Sequence, residues 1–210
     1  MNVNEAIKTR RATRHFDPNY KLTEAELHEL CSAFALAPSS FNMQNRHAVA
    51  VLDQDVKDKI QAAAWGQEHV GNASAVFVIT GELNAHHNAS RFLRDAAVPV
   101  KEMFEPMVME FYEGKESLQR DESCRSVGMA AMSLMLRAQD LGLNSCPMIG
   151  FDPAQVADIV GLDDQHPALM LVLVGKANQE AHGRLGLFDL EDVVSVDRFG
   201  NQAVTGAIDV

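Results

Sequence analysis

What this chain lacks narrows its possible roles. Its 210 residues include only three cysteines, and Cys31, Cys124 and Cys146 lie too far apart for a disulfide framework or a zinc cluster. They read as reduced thiols serving as small core residues, in keeping with a cytoplasmic location. No uninterrupted apolar run reaches the roughly 18 residues a membrane span needs. Met1-Asn2-Val3-Asn4-Glu5 has no basic flank leading into an apolar stretch, so no signal peptide is expected. Cationic excess is absent too: 18 Lys and Arg against 29 Asp and Glu give a net charge of −11, which argues against nucleic acid or an anionic membrane as a main partner. Finally, there is no G-x-G-x-x-G after a strand and no G-x-x-x-x-G-K-[ST]. Gly142, Gly150 and Gly175 make no phosphate-cradling loop, so any bound phosphate must be held by side chains.

Against this acidic background stands Arg10-Arg11-Ala12-Thr13-Arg14. Three guanidinium groups in five residues repel one another unless an anion satisfies them, and each offers a planar fork that fits phosphate or carboxylate. The plainer reading is a solvated charged segment ending a first helix. Ser39, Ser40 and Asn42 add neutral donors and acceptors, and Arg184 adds a further cation. Together they suit a ligand with one phosphate and a hydrogen-bonding ring.

The spacing predicts helices over Val3–Thr9, after the Thr23–Glu26 capping box with Leu27, Leu30, Cys31 and Phe34 inward, over Asp55–Trp65, over Ser123–Leu141, and after Asp152-Pro153. Buried strands are expected at Ala48–Leu52, Ala75–Thr80 and Ala168–Val174. Residues 84–120 read as one or two helices broken at Gly114, with their Met and Phe residues either core or a lid. The helix over Ser123–Leu141 is apolar all round, as in a central or subunit-interface helix. The tail from Asn178 has little pattern beyond Leu190–Val196. With no linker or repeat, one domain over 1–210 is expected. Helices alternating with buried strands suggest a doubly wound sheet. His86-His87 lacks a third ligand at suitable spacing and reads as part of a solvated helix face. Ser39-Ser40 lacks a nucleophile-elbow pattern, and nothing pairs a cysteine with a histidine as nucleophile and base.

Four motifs carry a family resemblance. Arg10-Arg11-Ala12-Thr13-Arg14-His15-Phe16-Asp17 resembles the first signature of the FMN-dependent nitroreductase family, and Ala37-Pro38-Ser39-Ser40-Phe41-Asn42-Met43-Gln44 the second. Pro147-Met148-Ile149-Gly150-Phe151-Asp152 resembles the third, and Arg184 with the apolar stretch Leu185–Val194 the fourth. Order and spacing agree over nearly the whole chain. The resemblance implies an α+β fold rather than a doubly wound one, with a central, mostly antiparallel sheet flanked by helices in an intertwined homodimer.

It further implies that Arg10, Arg14 and Arg184 hold the FMN phosphate, while Arg11 and the Ala12 backbone run along the ribityl chain and ring edge. Pro38, Ser39, Ser40 and Asn42 would reach the flavin of the partner subunit. Pro147, Met148, Ile149 and Gly150 would pack along the ring, with a backbone N–H near Gly150 donating to flavin N5. No side chain need act as a base. The implied activity is ping-pong transfer from NADH or NADPH to nitroaromatics, quinones or other conjugated small-molecule acceptors. The alternative is an FMN store, sensor or shuttle with little turnover, or a protein holding another phosphorylated metabolite. The chain departs from the family pattern at Ala12, where serine is common, at Gln44-Asn45-Arg46 in place of Gln-Pro-Trp, and at Ile149, where glutamate is common.

Overall fold

Helix starts fall where capping residues put them. The computed structural model describes residues 1–202 and 204–208. Helix α1 (Val3–Thr9) opens with a reciprocal box between Asn2 and Glu5, and α2 (Glu24–Ala35) with the expected Thr23–Glu26 box. There follow β1 (Arg46–Val51), α3 (Gln54–Ala63), α4 (Glu68–Asn72), β2 (Ala75–Gly81), α5 (Ala89–Phe92) and α6 (Val98–Tyr112). The chain continues with α7 (Glu116–Asp140), β3 (Asn144–Met148), α8 (Pro153–Val160), β4 (Ala168–Gly175) and the short α9 (Leu190–Val193). Asp152 caps α8 by accepting from Ala154 N and Gln155 N, with Pro153 in its first turn.

The four strands form one sheet in the order β1-β2-β4-β3, and every neighbouring pair is antiparallel. The fold is therefore α+β with an antiparallel sheet, and the doubly wound pattern does not apply. The reason is physical: strands covered on both faces read as continuous apolar runs whichever way they point. All seven residues of β2 are buried. Its side chains alternate, Val76 and Val78 packing with Ile60 and Val156 from α3 and α8. Phe77 and Ile79 pack on the other face with Leu30 and Leu134 from α2 and α7. At roughly 1.5–3 kcal/mol per fully buried large apolar side chain, these two layers dominate the folding energy.

Several expectations are corrected. The sheet has a fourth strand, β3, in the segment read only as a short connection to Ile149. Helix α7 starts seven residues earlier than expected, at Glu116, and buries one face, including Val127, Ala130, Leu134 and Ala138. Cys124 and Met129 are left exposed on it. Of the thiols only Cys146 is a core residue; Cys31 and Cys124 are exposed. On α2 it is Leu30 and Phe34, one turn apart, that point inward, leaving Cys31 at the margin of that stripe.

Ala85, Ala89, Phe92, Leu93, Val108 and Tyr112 from residues 84–120 form a third apolar cluster with Met43, and Gly114 at φ 70° separates α6 from α7. His86 belongs to this cluster's wall, 3% exposed in a 3-10 turn, not to a solvated helix face. Only Leu190–Val193 of the Leu190–Val196 segment is helical, and positions 203, 209 and 210 of the tail lie outside the described residues. No helix among the described residues is long and apolar enough to cross a membrane.

Candidate functional site

The arginine segment is pinned along the β3 edge of the sheet. Ala12 bridges Ser145 in parallel, and Thr13 N donates to Ser145 O at 3.0 Å. Phe16, 1% exposed, is the anchor that follows, with Asp17 N donating to Lys176 O at 2.8 Å. Gly175 is required beneath it, since a Cβ there would meet Phe16 and Ser74 at 3.0 Å. The sheet edge thus holds the backbone, and the guanidinium groups are left to project.

Three of the four site arginines converge at the end of α1. Arg11 Nη1 donates to Lys8 O at 2.6 Å and Arg10 O at 3.0 Å. Arg184 comes from the far end of the chain to place Nη2 3.4 Å from both Ile7 O and Lys8 O. Helix carbonyls attract cations, which explains how like charges assemble here. The Arg10 guanidinium is held below its ordinary pKa, first by burial and then by Arg184 and Arg11. Its Nε is buried without an acceptor. No carboxylate pairs with Arg10, Arg11, Arg14 or Arg184 among the described residues. A cluster of mutually repelling cations with an orphaned donor fits an anionic group such as a phosphate.

Arg14 points to the neighbouring cleft, which it lines with His15, Gln67, His69, Asn178 and His182. His69 is held below its usual pKa by burial, then by Arg14 and His15. Cys146 on β3 is pushed up by burial although Arg14 and Arg10 pull the other way. That thiol is no nucleophile at neutral pH.

Beyond β3, Pro147 and Met148 are half-buried, while Ile149 is 75% exposed. Gly150 is clasped: Gln67 Nε2 donates to Gly150 O at 2.9 Å, and a Cβ at Gly150 would lie 3.2 Å from the Trp65 ring. The next two amides are used, Phe151 N on Ile149 O at 3.1 Å and Asp152 N on Ala63 O at 2.9 Å. The Gly150 N–H donates to no acceptor among the described residues. It is a fixed, spare donor at the sheet end.

Trp65 and Gln67 were not read as site residues from sequence. The signal was there: Trp65 is the single tryptophan, followed by glycine, and it stands 72% exposed at φ 57°. A bulky side chain held exposed on a strained backbone makes Trp65 a candidate site residue.

The second group, Pro38, Ser39, Ser40 and Asn42, is elsewhere. This loop precedes β1 at the opposite sheet edge, three strand spacings or about 14 Å from β3. It is closed on itself: Gln44 N donates to Ser39 Oγ at 2.8 Å, Tyr112 Oη to Ser40 Oγ at 2.9 Å, and Asn42 Nδ2 to Phe92 O at 2.9 Å. Phe41, Asn42 and Gln44 take φ of 50°, 57° and 49°. One chain therefore does not bring the two groups together. Arg46, where the family carries tryptophan, is 6% exposed and donates to Ala35 O and Ala37 O at the end of α2. The substitution exchanges an aromatic ring for a helix C-terminal cation.

The comparisons with known proteins agree. The family model described as "Nitroreductase family" matches residues 7–176. Protein DrgA of Synechocystis is 36% identical over 185 residues, covering 88% of this chain and 88% of that protein. The oxygen-insensitive NADPH nitroreductase of Helicobacter pylori (strain 26695) is 30% identical over 189 residues, covering 84% and 88%. Among solved structures, the candidate nitroreductase ydfN of Bacillus subtilis superposes with TM-score 0.82 at 34% identity, covering 91% and 97%. A candidate nitroreductase from Exiguobacterium sibiricum, solved in complex with FMN, superposes with TM-score 0.83 at 25% identity, covering 93% and 97%. The fold is α+β, and the chain belongs to the nitroreductase family, a family of oxidoreductases.

Proposed function

We propose that this protein is an FMN-dependent NAD(P)H oxidoreductase acting by a ping-pong cycle on nitroaromatics, quinones or similar conjugated acceptors. The carrying observation is the cluster of Arg10, Arg11 and Arg184, paired with no carboxylate among the described residues, with the orphaned Arg10 Nε. The FMN-bound relative gives that cluster a fitting anion. When bound, FMN would supply the redox chemistry, taking hydride from NADH or NADPH at N5 and passing electrons to the acceptor.

The chain's own residues bind and orient. Arg10 and Arg184 would hold the phosphate, with Arg14 joining them from the neighbouring cleft, while Arg11, the third member of the cluster, and the Ala12 backbone would follow the ribityl chain and the ring edge. Pro147, Met148 and Ile149 would line the ring, and the Gly150 N–H would donate to N5, Gln67 fixing the residue through its carbonyl oxygen. Donors and cations at the ring stabilise charge that develops on reduction, and no side chain serves as base. The loop Pro38–Asn42 at the far sheet edge serves the site of a second chain, which calls for a homodimer with two sites at its interface. The exposed Met129 and Cys124 face of α7 is the surface available for it. The whole chain acts as one FMN-binding domain in the cytoplasm.

The test is spectroscopic. The purified protein should be a yellow dimer by light scattering, and anaerobic NADH or NADPH should bleach its flavin within seconds. A colourless protein that cannot be reconstituted with FMN overturns the reading. A yellow protein that neither nucleotide bleaches makes it a flavin carrier, the altered ring-side residues Ala12, Ile149 and Asn45-Arg46 being the feature that would favour that role.

A further inference from the structure

A second cluster of chemically capable side chains lies in residues 84–120, apart from the arginines and unused by the flavin chemistry. His86 and His87 sit in the 3-10 turn Ala85–His87, and Glu113 caps the end of α6. His86 Nε2 is 3.2 Å and His87 Nε2 is 2.7 Å from the same Glu113 Oε2. The two imidazole centroids are 4.1 Å apart, and one ligand atom from each of the three residues lies within 4.8 Å of the others. In a tetrahedral zinc site with bonds of about 2.0–2.1 Å, neighbouring ligand atoms stand about 3.3 Å apart. The His86–Glu113 distance already matches that spacing, the His87–Glu113 distance falls short of it by roughly 0.6 Å, and all three ligand atoms lie within 4.8 Å, so side-chain adjustment alone can admit a cation.

An ordinary surface ion pair explains the cluster less well. His86 is 3% exposed, and burial followed by His87 holds it below its usual pKa. Its ring packs against Tyr112, with centroids 6.1 Å apart. A buried neutral imidazole, a half-exposed imidazole and an ionised carboxylate form the donor set that borderline divalent cations select. His87 and Glu113 side chains are 48% and 57% exposed, which leaves an entry path and open positions for water.

We propose that His86, His87 and Glu113 form a binding site for a divalent transition-metal cation of the zinc, cobalt or nickel class. Three protein ligands and water complete the coordination. The bound ion would tie the turn before α5 to the end of α6, across the cluster of Ala85, Phe92, Val108 and Tyr112. It thereby clasps the segment that covers this third apolar cluster, independently of the flavin.

Tag-free, full-length protein freed of metal by a chelator is titrated with Zn2+ by calorimetry and with Co2+ by visible absorption. One equivalent per chain is expected, giving cobalt d–d bands without an intense thiolate charge-transfer band. The double variant His87→Ala/Glu113→Ala changes exposed positions only. It should lose that equivalent or bind it at least about 100-fold more weakly, since loss of a mere supporting partner already costs 10- to 100-fold. Should the double variant fail to fold, Glu113→Gln, close in shape, should weaken binding at least about tenfold. Cys31→Ser/Cys124→Ser should keep the equivalent. Absence of binding to the unaltered protein overturns the proposal, as does equal binding in the ligand variants. A site lost with the cysteines, or a thiolate spectrum, also overturns it.

Discussion

The two edges of the sheet are built on opposite plans. At the β3 edge, backbone bonds fix the chain while, among the described residues, Arg10 Nε has no acceptor, the Gly150 N–H is spare, and Arg10, Arg11, Arg14 and Arg184 lack a carboxylate. At the β1 edge the loop Ser39–Gln44 spends its polar groups on itself and on α5 and α6. Its left-handed residues hold a shape rather than a charge. The first edge turns unsatisfied cations outward, whereas the loop at the second is bonded and shaped, the orphaned atoms beside it (Asn45 Oδ1 and Arg46 Nε and Nη1) being sealed beneath it. An anionic cofactor would supply what one lacks, and a preformed loop from a second chain can be presented to it without reordering.

The comparison can be broken, most severely, at its anchor. Phe16→Ala removes the buried ring that pins the arginine segment and should destabilise the fold by about 3–5 kcal/mol, read by chemical denaturation, with loss of bound FMN. Next comes the charge itself. Arg10→Met should weaken FMN binding about ten- to hundredfold, a charged contact being worth roughly 1.5–3 kcal/mol. The FMN-free variant should melt at a higher temperature than the FMN-free parent, because repulsion and the orphaned donor are gone. A lower melting point would mean the cluster is structural. Arg14→Ala and Arg184→Ala should weaken FMN binding in the same range, and unchanged affinity in either would remove that residue from the clamp.

At the other edge the effects are smaller and of a different kind. Asn42→Ala places a Cβ residue poorly suited to φ 57° and deletes the bond to Phe92 O, an expected loss of about 1–2 kcal/mol. Tyr112→Phe leaves Ser40 Oγ without its donor and should cost about 1 kcal/mol. In both, the FMN dissociation constant should change less than in Arg10→Met; an equal change would show that this edge too binds by charge.

How much of this was legible beforehand differs by residue. Capping signals at Thr23–Glu26 and Asp152-Pro153 are local, so the helix starts they set were readable. The strand Ala75–Thr80 was readable as buried but not as antiparallel, since burial on both faces erases the alternation that would reveal its neighbours. The arginines were readable as a cluster in need of an anion. That Arg184 would meet Arg10 and Arg11, 173 or more positions away, depended on the last strands returning beside α1. Cys31 and Cys124 were misread because residue type predicts average burial, not which side of a helix a given turn presents. His86, His87 and Glu113 were invisible as a set because a 3-10 turn and a helix end 26 residues apart have no sequence spacing that joins them.

The sequence by itself determined composition-level and local matters: the acid balance, the helix caps, the buried strands, and a run of three arginines within five residues. Only the tertiary structure decided which strands pair and that the polar loop and the arginines lie at opposite edges. It also decided that, among the described residues, Gly150 keeps a spare N–H while Phe151 and Asp152 spend theirs. These are long-range outcomes, settled by which faces could be buried at once and which backbone groups were left over when they were.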